Sequence, residues 1–306
     1  MKSSAKKKAF PIVRENRRVF LILMTPFTLM FLGFRVFPVV WGIFMSFTNY
    51  SGFNIKNLKM VGWSNYVRVF TDTLAFQSFG RTVLIALIVV PITLLICNVL
   101  AIMLSRPSKL NGFFRTIYYI PSIIPVVAVS TMWQGVFARD YGILNYMLRG
   151  LGFEEINWLG YDWIFRSLII MLLWGCGGGI LNNIAGIKNI PPELYEAAEI
   201  DGAGSFRQIF HITLPLTSNM NYMTLTTSLI ATLQLFAEPV LLAGGGMTSV
   251  PYLPIYTYVV HCYQQIFVNL RFGYGLALTW VIFIIIMVFT LVNEAVSKKW
   301  VVTSMD

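Results

Sequence analysis

Four carboxylates crowd one polar stretch of an otherwise apolar chain. Glu193, Glu196, Glu199 and Asp201 lie in IKNIPPELYEAAEIDGAGSFRQIFHITLPLTSN, between two hydrophobic runs. A connection of about thirty residues usually has structure of its own or a function. Acid–base or metal chemistry there would need a convergent set of His, Cys or further acids. Only His211 is close in sequence, and His261 stands alone in a distant segment. Cys97, Cys176 and Cys262 show no CxxC spacing and read as small packing residues. The glycine runs Gly175-Cys176-Gly177-Gly178-Gly179 and Gly244-Gly245-Gly246 lack the Lys and hydroxyl of a phosphate loop. No catalytic residue, no metal site and no cofactor bound by this chain is therefore expected.

Local signals predict a helix–turn–helix in the acidic stretch. Pro191 and Pro192 stop the preceding helix and pre-set φ for a new one. Glu193 and Glu196 fall near its N-terminus, where negative charge is favoured. Leu194, Ala197, Ala198 and Asp201 follow at three- and four-residue spacing, which gathers small residues on one side. Gly202 and Gly204 break the helix. Ser205, with Gln208 three residues later, reads as a capping box for a second short helix, which Pro215 ends. Two readings stay open on these grounds. The flat Ala-Ala face fits a groove on another protein, or the pair merely connects two membrane helices.

A second set of residues sits inside the apolar runs. Met171, Trp174, Gly175, Gly178 and Asn182 share one helical stripe. Thr224, Thr227, Ser228, Ala231, Thr232, Leu235 and Glu238 share another. Polar residues in a bilayer face protein or water rather than lipid. A sugar wants an aromatic face plus amides, hydroxyls or carboxylates. Trp174, Thr232 and Glu238 offer these, so a solute pathway is expected along Trp174, Gly175, Gly178, Ala231, Thr232, Leu235 and Glu238. The competing reading is helix packing, which uses the same small residues. Arg35 and Glu238 are charges within apolar runs, and an unpartnered buried charge is costly. At least one of them is expected to answer to a group on another chain.

The elements that must carry these residues follow from composition. The chain has 306 residues, 57% hydrophobic and 12% charged, with mean hydropathy +0.69. Soluble domains average roughly a quarter charged residues. That excludes a soluble enzyme, a disordered chain and a disulfide-stapled secreted module. A bilayer-spanning helix needs about 20 apolar residues. Six segments qualify: 19–47, 82–104, 117–137, 167–187, 222–242 and 274–296. The first contains Arg35 and Pro38 and is expected to kink.

Charge sets the topology. Seven Lys and Arg precede Val19 with no small-x-small cleavage site, so residues 1–18 read as a cytoplasmic basic tail and residues 19–306 as one transmembrane domain. With the tail inside, 14 Lys and Arg fall in inner segments and seven in outer loops. That bias puts both termini in the cytoplasm and the acidic loop, about 188–219, at the inner surface. It also accounts for much of the net charge of +10. No basic face with interleaved aromatics lies outside the tail, so nucleic acid is not a partner. Trp63, Tyr66, Tyr141, Trp158, Tyr161 and Trp163 in the outer loops suit a headgroup belt in contact with membrane lipid.

One pattern in the inner loop is more specific. Glu196-Ala197-Ala198, three residues, Gly202, nine residues, then Ile212-x-Leu214-Pro215 resembles the EAA loop of binding-protein-dependent ABC importer permeases. The flanking residues resemble the carbohydrate branch, the maltose and glycerol-phosphate permease relatives. The likeness covers nearly the whole chain. Gly62-Trp63-Ser64-Asn65-Tyr66, Phe114-Arg115-Thr116 with Pro121, Pro125 and Trp133, Tyr141-Gly142-Ile143-Leu144-Asn145 and Phe272-Gly273-Tyr274-Gly275 all resemble that branch. Gly244-Gly245-Gly246-Met247 departs from its Gly-Gly-Pro.

The resemblance implies an all-α, six-helix, type I permease fold in a bacterial or archaeal plasma membrane. It implies a heterodimer with a second permease, an ATPase homodimer that carries ATP and Mg, an extracytoplasmic solute-binding protein and a saccharide substrate. On that basis Glu196 makes a charge-assisted contact with the ATPase, Ala197 and Ala198 allow close approach, and Gly202 permits a sharp turn. Asp201, Ile212, Leu214 and Pro215 complete the coupling segment. The alternatives are weaker. A stand-alone secondary transporter or channel would bury several ionisable residues, and the spans hold little beyond Arg35 and Glu238, with Glu294 at an inner edge. A membrane-embedded enzyme would need the convergent groups that are missing.

Overall fold

Backbone N–H and C=O groups inside a bilayer must be satisfied within the chain, so long apolar runs wind into helices. The computed structural model describes residues 12–53, 56, 58–106, 108–244 and 253–301. Residues 1–11 of the basic tail and 245–247 of the glycine run lie outside them. Among the described residues the chain is helical, with one isolated antiparallel bridge, Thr48 to Met60.

The order is α1 (Ile12–Phe31), α2 (Phe37–Ser46), α3 (Ser64–Thr71), α4 (Thr73–Ser105), α5 (Asn111–Ile123) and α6 (Val126–Val136). Then come α7 (Ile143–Gly150), α8 (Ile164–Trp174), α9 (Gly177–Lys188), α10 (Glu193–Ile200) and α11 (Ser205–Gln208). The series ends with α12 (Leu214–Leu216), α13 (Ser218–Leu233), α14 (Ala237–Leu242), α15 (Tyr258–Tyr263) and α16 (Phe272–Ser297). α1 begins before Val19, inside the stretch read as tail.

The six expected spans are not six continuous helices. Four stretches are long and apolar enough to cross a membrane unbroken: Val19–Ser46, Thr73–Ser105, Ile164–Lys188 and Phe272–Ser297. The third expected span is α5 and α6, bent by 104°. Pro125 explains the bend, because the residue before a proline is pushed out of helical geometry, and Ile124 has ψ 133°. The fifth is 16-residue α13, a break at residues 234–236, then α14. The kink expected at Pro38 is a π-helical turn, Leu32–Val36, which accommodates the N–H that proline lacks.

α4 is the axis. Cys97, Ala101 and Leu104 pack against Ile180 and Ile184 of α9. Ile85 and Val89 join Leu168, Met171 and Leu235. Ala86 joins Leu233 of α13 and Ala277 and Leu278 of α16. Close approach depends on glycine. A Cβ at Gly177 would overlap the Tyr118 carbonyl of α5, and one at Gly179 would press on Cys97 Sγ and Thr224. By contrast, residues 19–31 of α1 and most of α2 present apolar side chains outward, with none buried in the most apolar window of Val19–Ser46.

Candidate functional site

Three helix interruptions border one cavity. α8 stops at Trp174 and α9 restarts at Gly177. α13 stops at Leu233, and the α5–α6 bend falls at Ile124. Irregular backbone at membrane depth is tolerated where it lines a cavity. A cavity of about 310 Å³ lies there, walled by Val89 and Thr93 of α4, Ser122 and Ile124, and Met171, Trp174, Gly175 and Cys176. Ser228, Ala231, Thr232, Leu235 and Glu238 form the facing wall. A second cavity of about 320 Å³ adjoins it, sharing Thr93, Ser122, Gly175, Cys176, Ser228 and Ala231. It adds Gly178, Gly179, Asn182, Thr224 and Thr227.

Both stripes expected from the sequence thus converge on one connected space. The glycines separate into two kinds. No atom lies within 4 Å of where a Cβ would stand at Gly178, and at Gly175 the only neighbour is the Leu172 carbonyl at 3.6 Å. These two are wall, Gly177 makes a close helix contact, and Gly179 does both. The Trp174 ring meets Trp133 edge-on at 6.0 Å between centroids. Thr232 Oγ1 donates to the Ser228 carbonyl at 2.7 Å, leaving its lone pairs to accept. Leu235 is buried at the break. Glu238 is half-buried in the first turn of α14, and among the described residues no Lys or Arg pairs with it. Arg35 lies in the π turn, exposed and equally without an acidic partner.

Sequence reasoning missed Thr93, Ser122 and Cys176. Cys176 was read as packing, yet it is half-buried and lines both cavities. Its place between two glycine-flanked helix ends was the available signal. Thr93 and Ser122 gave none, because neither belongs to a polar stripe.

The inner loop builds a separate feature. α10 runs from Glu193 to Ile200, with Glu193 and Glu196 in its first turn. Asp201 follows, and Gly202 takes a left-handed φ of 76°. The Ala203 N–H donates to the Ala198 carbonyl at 2.8 Å and the Gly202 N–H to Glu199 at 3.0 Å. That is a Schellman stop, which glycine permits because it has no Cβ. The expected capping box is absent. Gly204 is the N-cap of α11, Ser205 makes no capping hydrogen bond, and Gln208 Nε2 donates to the Ala203 carbonyl instead.

Pro215 does not end a helix. A π turn, Ile209–Thr213, leads into α12 and on through Thr217 to α13, and Pro215 sits in the first turn of α12. Ile212, Leu214 and Pro215 are half-buried along this path. Tyr195 Oη and Thr213 Oγ1 share a hydrogen bond of 2.9 Å that ties α10 to it. Glu196, Ala197 and Asp201 are exposed and Ala198 is half-buried. Leu194, Ile200, Phe206 and Phe210 are also exposed, and Ile200 keeps 86% of its surface. Exposed apolar groups beside acids have the character of a protein-docking surface.

Comparison with known proteins agrees with this geometry. Residues 97–302 match the family model described as binding-protein-dependent transport system inner membrane component. The chain is 31% identical over 303 residues to the probable ABC transporter permease protein YesP of Bacillus subtilis (strain 168), covering 98% of this chain and 96% of the relative. It is 30% identical over 312 residues to the arabinooligosaccharides transport system permease protein AraP of the same organism, covering 97% and 95%. In fold it resembles a bacterial ABC transporter involved in the import of the acidic polysaccharide alginate, with TM-score 0.78, 20% identity and coverage of 95% and 99%. A match over that length and a shared helical architecture place this chain in the family of binding-protein-dependent inner membrane components, as a multi-pass permease of an ABC importer.

Proposed function

We propose that this chain and a second permease together form the pathway for ATP-driven uptake of a saccharide. The observation that carries the reading is one connected cavity walled by Trp174, by Thr93, Ser122, Ser228 and Thr232, and by Glu238. An aromatic face suits the C–H surface of a sugar ring, and the hydroxyls and carboxylate suit its OH groups. The arabinooligosaccharide name of one relative supports the solute class. Trp174, Gly175, Gly178, Ala231, Thr232, Leu235 and Glu238 line the route, and Thr93, Ser122 and Cys176 extend it.

Coupling runs through residues 188–219 at the cytoplasmic surface, with both termini on the same side. Glu196 offers a charge-assisted contact to an ATPase homodimer, and Ala197 and Ala198 let its groove approach. The ATP and Mg belong to that partner. An extracytoplasmic binding protein delivers the solute. Nucleotide-driven closure of the ATPase favours the outward-facing state only through contacts that differ between the two states.

Purification of the tagged chain from its native membrane in mild detergent tests the assembly. Recovery of a second multi-span permease and a P-loop ATPase is the expected result. Recovery of this chain alone, under conditions that preserve other membrane complexes, would overturn it.

A further inference from the structure

The cavity wall has a sign. Among its described residues Glu238 is the one acid, and none is Lys, Arg or His. The adjoining cavity adds no Asp, Glu, Lys, Arg or His. The ion pairs of Arg139 and Arg149 with Glu155, and of His261 with Asp72, lie elsewhere. A carboxylate in a wall of Leu, Val and Trp side chains projects its field into the space it faces, with less screening than at an open surface. Negative solutes meet repulsion there, and specificity is often built from such repulsion. Hydroxyl groups meet an acceptor of high capacity, and an ammonium group meets its complement.

We propose that the pathway takes an uncharged or amine-bearing polyhydroxy solute and excludes anionic saccharides, with Glu238 as the residue that sets this preference. The proposal rests on the cavity being the solute route. Relatives do not decide the sign: the likeness to an alginate importer, at 20% identity, shows the fold alone, and permeases 32% and 30% identical are named for a sulfonated saccharide and for arabinooligosaccharides respectively.

Cys176 gives a probe that needs no knowledge of the solute. It is half-buried and lines both cavities, whereas Cys97 and Cys262 are buried. In the assembled complex, labelling rates are compared for a cationic ethylammonium and an anionic ethylsulfonate methanethiosulfonate, with Cys176→Ser marking the background. The cation-to-anion rate ratio is expected to fall roughly tenfold in Glu238→Gln and to persist in Glu238→Asp. Equal ratios in wild type and Glu238→Gln overturn the charge preference and leave the route standing. Failure of Cys176 to react even with the neutral methyl reagent overturns the route, and the preference with it. Mass analysis of the solute that co-purifies with the cognate binding protein is the second arm. A carboxylated, sulfonated or phosphorylated saccharide there also overturns the charge preference.

Discussion

The Tyr274 hydroxyl donates a hydrogen bond to Oδ2 of Asp72 at 2.6 Å, across 202 residues of sequence. It joins the first turn of α16 to the N-cap of α4, where Asp72 Oδ1 also accepts from the Leu74 and Ala75 N–H groups. His261 of α15 completes the knot. Its Nε2 stands 3.4 Å from Asp72 Oδ2 and its Nδ1 3.1 Å from the Tyr256 hydroxyl. The Arg68 guanidinium lies 4.5 Å over the Tyr274 ring. His261, alone in sequence and fully buried, is therefore one of a set that pins the starts of α4 and α16 to α15.

This knot makes stability fall in mild acid. Burial pushes the His261 imidazole below its ordinary 6.5, against the pull of Asp72. The unfolded chain then takes up a proton that the folded chain resists, so stability declines as pH drops below 6.5. Asp72 acts lower. Burial raises its carboxyl, but hydrogen bonds from Tyr274 and Ala75, the nearby His261 and the Leu74 N–H outweigh that and hold it below 3.8. Its contribution is present above 3.8 and lost as pH falls through the lowered value. Melting of the purified complex between about pH 7.5 and about pH 5 should show the His261 slope, and His261→Gln should flatten it. A slope unchanged by that substitution would refute the assignment.

Gly202→Pro should abolish uptake while leaving membrane abundance intact. Gly202 has φ 76°, and proline is held near −65°. Gly202→Ala should be milder, with a local cost of about 1 kcal/mol. Uptake assays beside immunoblots of membranes decide it, and normal transport by the proline variant would defeat the coupling role.

Adjacent glycines should behave oppositely. Gly177→Ala drives a methyl into the Tyr118 carbonyl and should destabilise the chain by roughly 1–3 kcal/mol, seen as lower abundance. Gly178→Ala meets open space and should leave abundance unchanged. Equal abundance of the two variants would contradict the division between packing and wall glycines.

Trp174→Ala should lower uptake on the order of tenfold or more, since it removes the largest aromatic face of the cavity. Co-purification of the partner chains should persist. Full uptake would exclude Trp174 from the route.

The stripes on both cavity walls were legible because a helix repeats every 3.6 residues and polar groups avoid lipid. The surface loop was legible from Pro191, Pro192 and Gly202, which act locally. The helix interruptions were less so. At Gln234–Phe236 no proline or glycine announces the break, and at Ser205 the expected cap gives way to Gly204, whose backbone is extended. The motif residues Asn65 and Asn145 proved to be fasteners. Asn65 Nδ2 donates to the Ser46 and Thr48 carbonyls at 2.8 and 2.9 Å, and Asn145, fully buried, bonds Arg139, Ile156 and Trp158. Their partners are up to 19 residues away, beyond what periodicity reveals.

The exposed Leu194, Ile200, Phe206 and Phe210 bear on the life of the chain before assembly. In the lone chain these side chains stay exposed until something covers them. Such surface is what chaperones hold and proteases sample. An orphaned copy would be short-lived, and the cell would count this subunit by how many docking partners it has made.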